Sequence, residues 1–464
     1  MRRRMAVVVR PKTLSRLVLI ASSIYVVYLI LSLSLSKTTT TTTTKTISCP
    51  SLNLQHLVFG IASSSSSYPN RQSYIRTWWQ PGLTRGYVFL DRKLNNNNTS
   101  DLLPPILISE DTSRFPYSFP HGLRSAIRIT RIVKEIVHLN LPDVRWFVFG
   151  DDDTVFFTHN LLKVLSKYDH NLWYYVGTNS ESFAQNRNYS FDMAFGGAGF
   201  AITFPLATVL ATVLDSCLFR YHHLYGSDSR IFSCLAELGV ALTHQPGFHQ
   251  VDMRGDLFGM LSAHPLTPLL SLHHLDSVRP IFPGMNHTQA LEQFLLAVRV
   301  DSERILQQTV CYDRSKSLTI SVSWGYSVQV FEGNQLLPDL LPVQRTFIPW
   351  RRGLNINLQP FMFNVRDFPR DPCKRPAVFF LENVSRDANE IRSKYRRHHV
   401  RNCLQNGSSK DLEQIEVITQ RLDLDVAELQ APRRHCCEVL SSFDTKIEIG
   451  IRHCRNKELI MMNP

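Results

Sequence analysis

Apolar and polar positions divide this chain into stretches of different period. The first is an uncharged apolar run from Leu17 to Leu35, about the length that a bilayer's hydrocarbon core requires. Beyond it, LVFGIA (57–62), GYVFLD (86–91) and ILISED (106–111) are short β-favouring runs broken by Ser, Pro and Asn, and they read as buried strands. Leu123, Ala126, Ile127, Ile132, Val133, Ile136 and Val137 recur at helical spacing and lead into another strand at 146–149. Strands alternating with helices indicate an α/β domain on a mostly parallel sheet, assigned to residues 52–300. From Asp301 the period shortens to two. LTISVSW (318–324), YSVQVF (326–331) with the turn-like EGNQ after it, and AVFFLENV (377–384) predict a β-rich C-terminal module over 301–464. That module's pattern carries no chemistry of its own, and no internal repeat is visible.

The termini and composition give the address. Arg2, Arg3, Arg4, Arg10, Lys12 and Arg16 precede the apolar run. Basic flanks stay cytoplasmic, so the expectation is a cytoplasmic tail (1–16), an uncleaved transmembrane signal anchor (17–36) and a type II topology. A cleaved signal peptide is the rival, but the run is long for an h-region and no A-x-A-like site follows. Thr38 to Thr44 read as a flexible stem over 37–51. Sequons at Asn97, Asn98, Asn188, Asn286, Asn383 and Asn406 all lie beyond the anchor. Nine cysteines without CxxC spacing suit an oxidising lumen with a few disulfides. Cys436 and Cys437, being adjacent, are expected to bridge to separate partners. The net charge of +12 is partly the N-terminal tail, and no nucleic-acid motif accompanies the basic runs SKYRRHHVR and PRRH.

The chemistry concentrates in WFVFGDDDTVFF (146–157). Three carboxylates at the end of a buried strand project into the crevice beyond the sheet and repel one another unless a cation neutralises them. A hard divalent ion suits them and leaves positions open for phosphate oxygens. In FGGAGFAI (195–202), three glycines around one small residue let a ligand approach the backbone, or else form a tight turn feeding a helix. In YGSDSRIF, Ser227 or Asp228 can cap the helix marked by Ile231, Cys234, Leu235 and Leu238. In GFHQVDMRGD, His249 is either structural or a nitrogen ligand to a carboxylate-bound cation.

RQSYIRTWW (71–79), ILISED, WFVFGDDDTVFF, FGGAGFAI, SDSRIF and GFHQVD occur in an order that resembles the fringe-like β-1,3-glycosyltransferases of glycosyltransferase family 31. Within that family the likeness is to the plant fringe-related group with a long C-terminal extension. The resemblance spans roughly Leu52 to Gly284. It implies a GT-A nucleotide-diphosphosugar transferase fold that uses a UDP-sugar with Mn²⁺, Mg²⁺ being the alternative. Carried over to this sequence, Asp153 and His249 hold the metal, with His264, His273 and His274 as rivals to the histidine. Arg76, Glu110, Asp111, Asp151, Asp152, Gly196, Gly197 and Gly199 line the sugar nucleotide. Asp228 is the catalytic base, although Ser227 stands where the family has a first acid and the family's following Thr and Gly are absent. Asp252 and Asp256 are next in line. The implied reaction is inverting transfer of a sugar to a glycan, glycoprotein or other hydroxyl acceptor in the Golgi lumen, and a homodimer is compatible with it. Two other readings stand beside it. One is a non-catalytic glycan-binding protein or chaperone on the same fold. The other is a haloacid-dehalogenase-like phosphohydrolase, since Asp151-x-Asp153-x-Val155 fits that pattern with the first aspartate as nucleophile.

Overall fold

The structure is a computed structural model that describes residue 20 and residues 22–31, 52–94, 101–350, 360–387, 390–400, 403 and 407–460. The expected tail, residues 17–19, 21 and 32–36 of the anchor, the stem, Cys49 and the sequons at Asn97, Asn98 and Asn406 lie outside these residues. Residues 22–31 are helical, and among the described residues no helix is long and apolar enough to cross a membrane. Met1–Ser51 forms one unit and Leu52–Pro464 a second, compact one.

Ten strands lie between residues 57 and 272. They are β1 (Leu57–Ala62), β2 (Arg85–Leu90), β3 (Ile106–Ile108), β4 (Trp146–Asp151), β5 (Val155–Phe156), β6 (Tyr175–Gly177), β7 (Phe200–Thr203), β8 (Leu242–His244), β9 (Met253–Gly255) and β10 (Ser271–Leu272). Seven of them form one sheet in the order β3-β2-β1-β4-β7-β6-β8. Neighbours are parallel, except that β7 runs antiparallel to both β4 and β6. The Phe-Ala-Ile of the Gly-rich segment is therefore a strand, and the helix expected there begins only at Phe204. All six residues of β1 are buried, which is what a central strand with both faces covered requires.

The helices that matter for the site are α1 (Tyr68–Trp78), α2 (Ser125–Val137), α3 (Phe204–Arg220), α4 (Ser227–Glu237) and α5 (His287–Val300). The helical spacing seen in the sequence is the buried stripe of α2, with Ala126, Ile127, Ile132, Val133 and Ile136 inside. Leu123 lies before the helix and is exposed. α2, α3 and α4 cover one face of the sheet, against Val58, Phe147 and Phe149, and a Cys217–Cys234 disulfide ties α3 to α4. On the other face Phe59, Trp78, Trp146 and Phe156 belong to a core that continues through Phe294 into Ile320, Trp324 and Tyr326.

Those last residues belong to one of the C-terminal strands and to the turn that follows it. The C-terminal strands are β11 (Gln308–Asp313), β12 (Leu318–Ser323), β13 (Ser327–Glu332), β14 (Val343–Gln344), β15 (Phe347–Pro349), β16 (Val365–Arg366), β17 (Ala377–Asp387), β18 (Glu390–Arg397), β19 (Gln414–Thr419), β20 (Cys436–Ser442) and β21 (Lys446–Arg452). Eight of them form a sheet in the order β11-β12-β13-β17-β18-β19-β21-β20, antiparallel apart from the β19–β21 pair. The Cys311–Cys437 disulfide joins its two edge strands, so the sheet curls until they meet. Cys436 bridges separately to Cys454, and Cys373 to Cys403. Every residue of β12 is buried: Leu318, Ile320 and Val322 face the shared core, while Thr319 donates to the Gly333 carbonyl and Ser321 accepts from Gln308. The change of texture at Asp301 is thus a change of architecture within one compact body, because both sheets bury residues in the same core.

Candidate active site

The parallel register of β1, β2, β3 and β4 brings their C-terminal ends to one edge of the sheet. Ser63, Asp91, Glu110 and the aspartate triplet follow those ends, the position at which open α/β sheets bind ligands. Thr154 fixes the triplet's turn. Its hydroxyl accepts the Asp151 N–H at 2.9 Å and donates to the Gly197 carbonyl at 2.8 Å, so the acidic turn and the Gly-rich turn are joined.

The three aspartates divide their roles by direction. Asp152 points inward and accepts from Ser63 Oγ (2.6 Å), Ser67 Oγ (2.7 Å) and Arg71 Nη1 (3.1 Å). It anchors the loop from β1 into α1, and its oxygens are fully engaged by the protein. Asp151 and Asp153 face His273, whose Nε2 lies 3.7 Å from Asp151 Oδ2 and 3.1 Å from Asp153 Oδ1. Arg71 Nη1 also comes within 3.3 Å of Asp153 Oδ2. Neither Asp153 oxygen receives a well-directed hydrogen bond, although both are buried.

One ligand atom from each of Asp151, Asp153 and His273 lies within 4.8 Å of the others. His273 Nδ1 faces the Gln250 carbonyl at 3.2 Å, which orients Nε2 toward the carboxylates. Burial works against both charges here, yet the pair overcomes it. His273 and Arg71 hold Asp153 down to about 2, and Asp153 and Asp151 push His273 up to about 9. Loss of water, then repulsion from Asp153, Asp228 and Asp152, pushes Asp151 up to about 7 against the pull of His273. Two carboxylates, one holding unsatisfied buried oxygens, beside an oriented imidazole fit a divalent cation that accepts oxygen and nitrogen. Among the described residues the other grouping of metal-type ligands, Cys436, Cys454 and Glu458, has its sulfurs consumed by a disulfide. Among the described residues the cations within 4 Å of the Asp151 and Asp153 carboxylates are His273 and Arg71, and none is the lysine that a dehalogenase-like phosphohydrolase needs.

His249 is placed elsewhere, and this corrects the expectation that it joins Asp153. Its Nδ1 lies 3.1 Å from Glu181 Oε1 and its Nε2 lies 2.9 Å from His264 Nε2. His264 Nδ1 donates to the Pro265 carbonyl at 2.9 Å, so its Nε2 accepts from His249. The other Glu181 oxygen accepts the Val251 N–H at 2.9 Å. Val251 has φ 55°, a costly conformation for a β-branched residue, and Glu181 clamps it there. This buried trio shapes the 249–252 loop that presents Gln250 and Asp252 to the site. His249 is thus a positioning residue in this geometry.

Asp228 is the second residue of α4, in its first turn. The N-cap is Gly226, which makes no side-chain cap bond, so the capping role does not fall to Ser227 or Asp228. Asp228 accepts from the Gly196 N–H and from Ser227, while loss of water raises its pKa. A Cβ at Gly196 would sit 2.5 Å from Asp228 Oδ1, and one at Gly197 would run into the His273 ring. Both glycines are therefore required by close approach of site residues, and Gly199 (φ 88°) by the turn itself. Asp228 lies between Asp151 on one side and a pocket of about 320 Å³ on the other. That pocket also holds Asp252, raised to about 6 by burial and hydrogen-bonded by Ser180 Oγ at 2.7 Å.

Three other expected residues lie outside this cluster. Arg76 lines a separate cleft with Trp79, His159 and Arg299, and Arg71 takes the place by the aspartates. Glu110 pairs with Arg131 at 2.7 Å, and Asp111 accepts from Ser113, both at the exposed end of β3. Arg71, Glu181 and Trp350 were not singled out by the sequence reading. Arg71 opens the same RQSYIRTWW motif that contains Arg76, and only the helix phase separates them.

Comparison with known proteins now bears on this geometry. The Fringe-like family model matches residues 52–257, which include the aspartate turn, the Gly-rich turn and Asp228. A second family model, described as Protein of unknown function, DUF604, matches residues 185–437, more than half of the chain. The chain belongs to the DUF604 family. In this DUF604 chain the fringe-like region coincides with the first sheet and the aspartate turn at its edge. The DUF604 match starts inside that region and runs across Asp301 into the second sheet, as the shared core does. Solved structures resemble it in part. A galactosyltransferase, LgtC, in complex with donor and acceptor sugar analogues is 12% identical, over 40% of this chain and 73% of that one, with a TM-score of 0.28. Mouse xyloside xylosyltransferase 1 in its apo form is 10% identical, over 41% and 84%, with a TM-score of 0.24. Mannosyltransferase PcManGT from Pyrobaculum calidifontis, in complex with GDP-Man and Mn²⁺, is 12% identical, over 51% and 69%, with a TM-score of 0.24. No curated protein matches the chain.

Proposed function

We propose that this protein is an inverting, metal-dependent glycosyltransferase of GT-A type. It transfers a sugar from a UDP-sugar to an acceptor hydroxyl, forms a β-1,3 linkage, and groups with the plant fringe-related members of glycosyltransferase family 31. The observation that carries the reading is the convergence of Asp151, Asp153 and His273 at a strand end, with Asp228 beside them.

A divalent cation, Mn²⁺ or Mg²⁺, held by those three residues would supply positive charge to the leaving diphosphate. The Gln250 carbonyl keeps His273 Nε2 turned toward the carboxylates. Asp152, through Ser63, Ser67 and Arg71, keeps the aspartate turn rigid against α1. Gly196 and Gly197 let Asp228 and His273 close on one point. Asp228 removes the proton from an acceptor hydroxyl arriving through the neighbouring pocket, and its raised pKa makes it the stronger base. A single displacement inverts the anomeric centre.

The test is a panel of sugar nucleotides with Mn²⁺, reading free UDP. No UDP release above the metal-free control with any donor refutes the activity. The same reading places the protein in the Golgi membrane as a single-pass type II protein. It is supported by the basic N-terminus, the uncharged 17–35 run and the disulfides among the described residues. A C-terminus digested by protease in intact microsomes, without detergent, refutes that topology.

A further inference from the structure

β15 belongs to the part of the chain beyond the Fringe-like match, yet it pairs antiparallel with β9 in the register Phe347↔Gly255, Ile348↔Arg254, Pro349↔Met253. The pairing delivers the next residue, Trp350, to the wall of the pocket that holds Asp228 and Asp252. Trp350 is held firmly. Its indole stacks on His274 with ring centroids 4.5 Å apart and planes at 10°. The Arg254 guanidinium lies 4.3 Å from the indole centroid, and Arg254 Nε donates to the Trp350 carbonyl at 3.1 Å. His274 in turn packs on His273 at 3.7 Å, so the indole is fixed relative to the aspartate–histidine cluster.

The pocket's composition narrows what it takes. Tyr189 and Tyr225 stack on each other at 5.8 Å and form an aromatic wall with Trp350, while Asp228, Asp252 and Gln250 supply acceptors and donors. An apolar aromatic wall facing a few polar groups accommodates a sugar ring, with C–H faces against the aromatics and hydroxyls toward the carboxylates. At about 320 Å³ it has room for one such ring. Among the described residues the charged side chains that line it are Asp228 and Asp252, and the Arg254 guanidinium is taken up against the Trp350 indole and carbonyl, so a uronate or phosphate on the acceptor would face two carboxylates.

We propose that Trp350 makes the C-terminal half of the chain part of the acceptor site, and that this site selects an uncharged sugar ring. The inference rests on the reading of the protein as a glycosyltransferase and names its acceptor class and a specificity residue.

The full-length protein, with Mn²⁺ and whichever UDP-sugar gives most UDP release, would be assayed with methyl β-galactoside, methyl β-glucoside, methyl β-N-acetylglucosaminide and methyl β-glucuronide. The readout is the ratio of UDP release with glycoside to release without it, and the KM for the glycoside. A neutral glycoside is expected to raise UDP release saturably, and the glucuronide is not. Trp350→Ala is expected to raise the KM for the neutral glycoside at least about tenfold, and Trp350→Phe, which keeps a ring in the clamp, about threefold. If Trp350→Ala does not fold, Trp350→Phe carries the test alone. An unchanged KM in the folded variants overturns the proposal. So does stimulation by the glucuronide equal to that by the neutral sugars, or donor consumption that no neutral glycoside stimulates. Absence of UDP release from every donor would instead refute the transferase activity itself, and this proposal with it.

Discussion

His273 Nε2 stands 3.1 Å from Asp153 Oδ1, and the opposite nitrogen of the same ring faces the Gln250 carbonyl. That arrangement presents a nitrogen lone pair to the carboxylates as soon as the bridging proton leaves. His249, by contrast, is committed on both sides, to Glu181 and His264. His273→Ala is expected to abolish Mn²⁺-dependent UDP binding measured by calorimetry. His249→Asn is expected to retain it and to lower stability by about 1–3 kcal/mol, because the buried Glu181 loses a partner. The reverse pattern would return the ligand role to His249.

Asp152 and Asp153 should separate stability from binding. Asp152→Ala removes the acceptor of three hydrogen bonds and leaves Arg71 with Asp153 and Asp276. A loss of about 1–3 kcal/mol in denaturant unfolding is expected, from the Ser63 and Ser67 hydroxyls left without their acceptor. Asp153→Ala takes a carboxylate away from buried His273 and from Arg71, so it too costs stability, but it alone should eliminate metal-dependent UDP binding. Retained metal-dependent UDP binding in Asp153→Ala would mean that both aspartates are structural.

The strand-and-helix plan of the first domain was legible because its core positions carry their own periods. LVFGIA is buried throughout and WFVFGD up to its final aspartate, and α2 buries one stripe. The histidine was not legible, for a physical reason. His273 reaches the aspartates because β10 pairs with β5 in the register Leu272↔Val155, setting it beside Asp153. A two-residue ribbon leaves no periodic trace, so the choice between His249 and His273 depended on a pairing that only the folded chain displays. Trp350 was hidden likewise, since β15 is three residues long and its partner β9 lies nearly a hundred residues earlier. The shared core escaped notice because strand periods report which face is apolar and say nothing of what covers it.

Glu135 offers a test by pH away from the site. Burial pushes its carboxyl up to about 7, against hydrogen bonding from Glu110 N–H and the charge of Arg131. An acid whose folded pKa is raised contributes stability that is complete below its unfolded pKa and is lost as pH rises through the folded one. Glu135→Gln is therefore expected to stabilise the protein by about 1–2 kcal/mol at pH 8 and by little at pH 4. Paired denaturation curves at the two pH values check this; a benefit that does not grow with pH contradicts the assignment.

Asp228 is the residue on which the proposed chemistry turns, and two substitutions isolate it. In Asp228→Asn the amide oxygen can still accept the Gly196 N–H, and no helix cap is lost because the N-cap is Gly226. Melting temperature and Mn²⁺-dependent UDP affinity should therefore stay close to the parent. An amide cannot serve as a general base, so turnover should fall about a hundredfold to ten-thousandfold. Gly196→Ala reaches the same group from the other side, since its Cβ would lie 2.5 Å from Asp228 Oδ1 and one of the two must move. It should lower turnover while the metal ligands keep their places. If Asp228→Asn turns over within a few-fold of the parent, the base must be another carboxylate facing the same pocket. Asp252 is then the candidate, being 2% exposed there and raised to about 6. Asp256 is not, because its carboxylate accepts the Phe258 N–H and lines a different cavity.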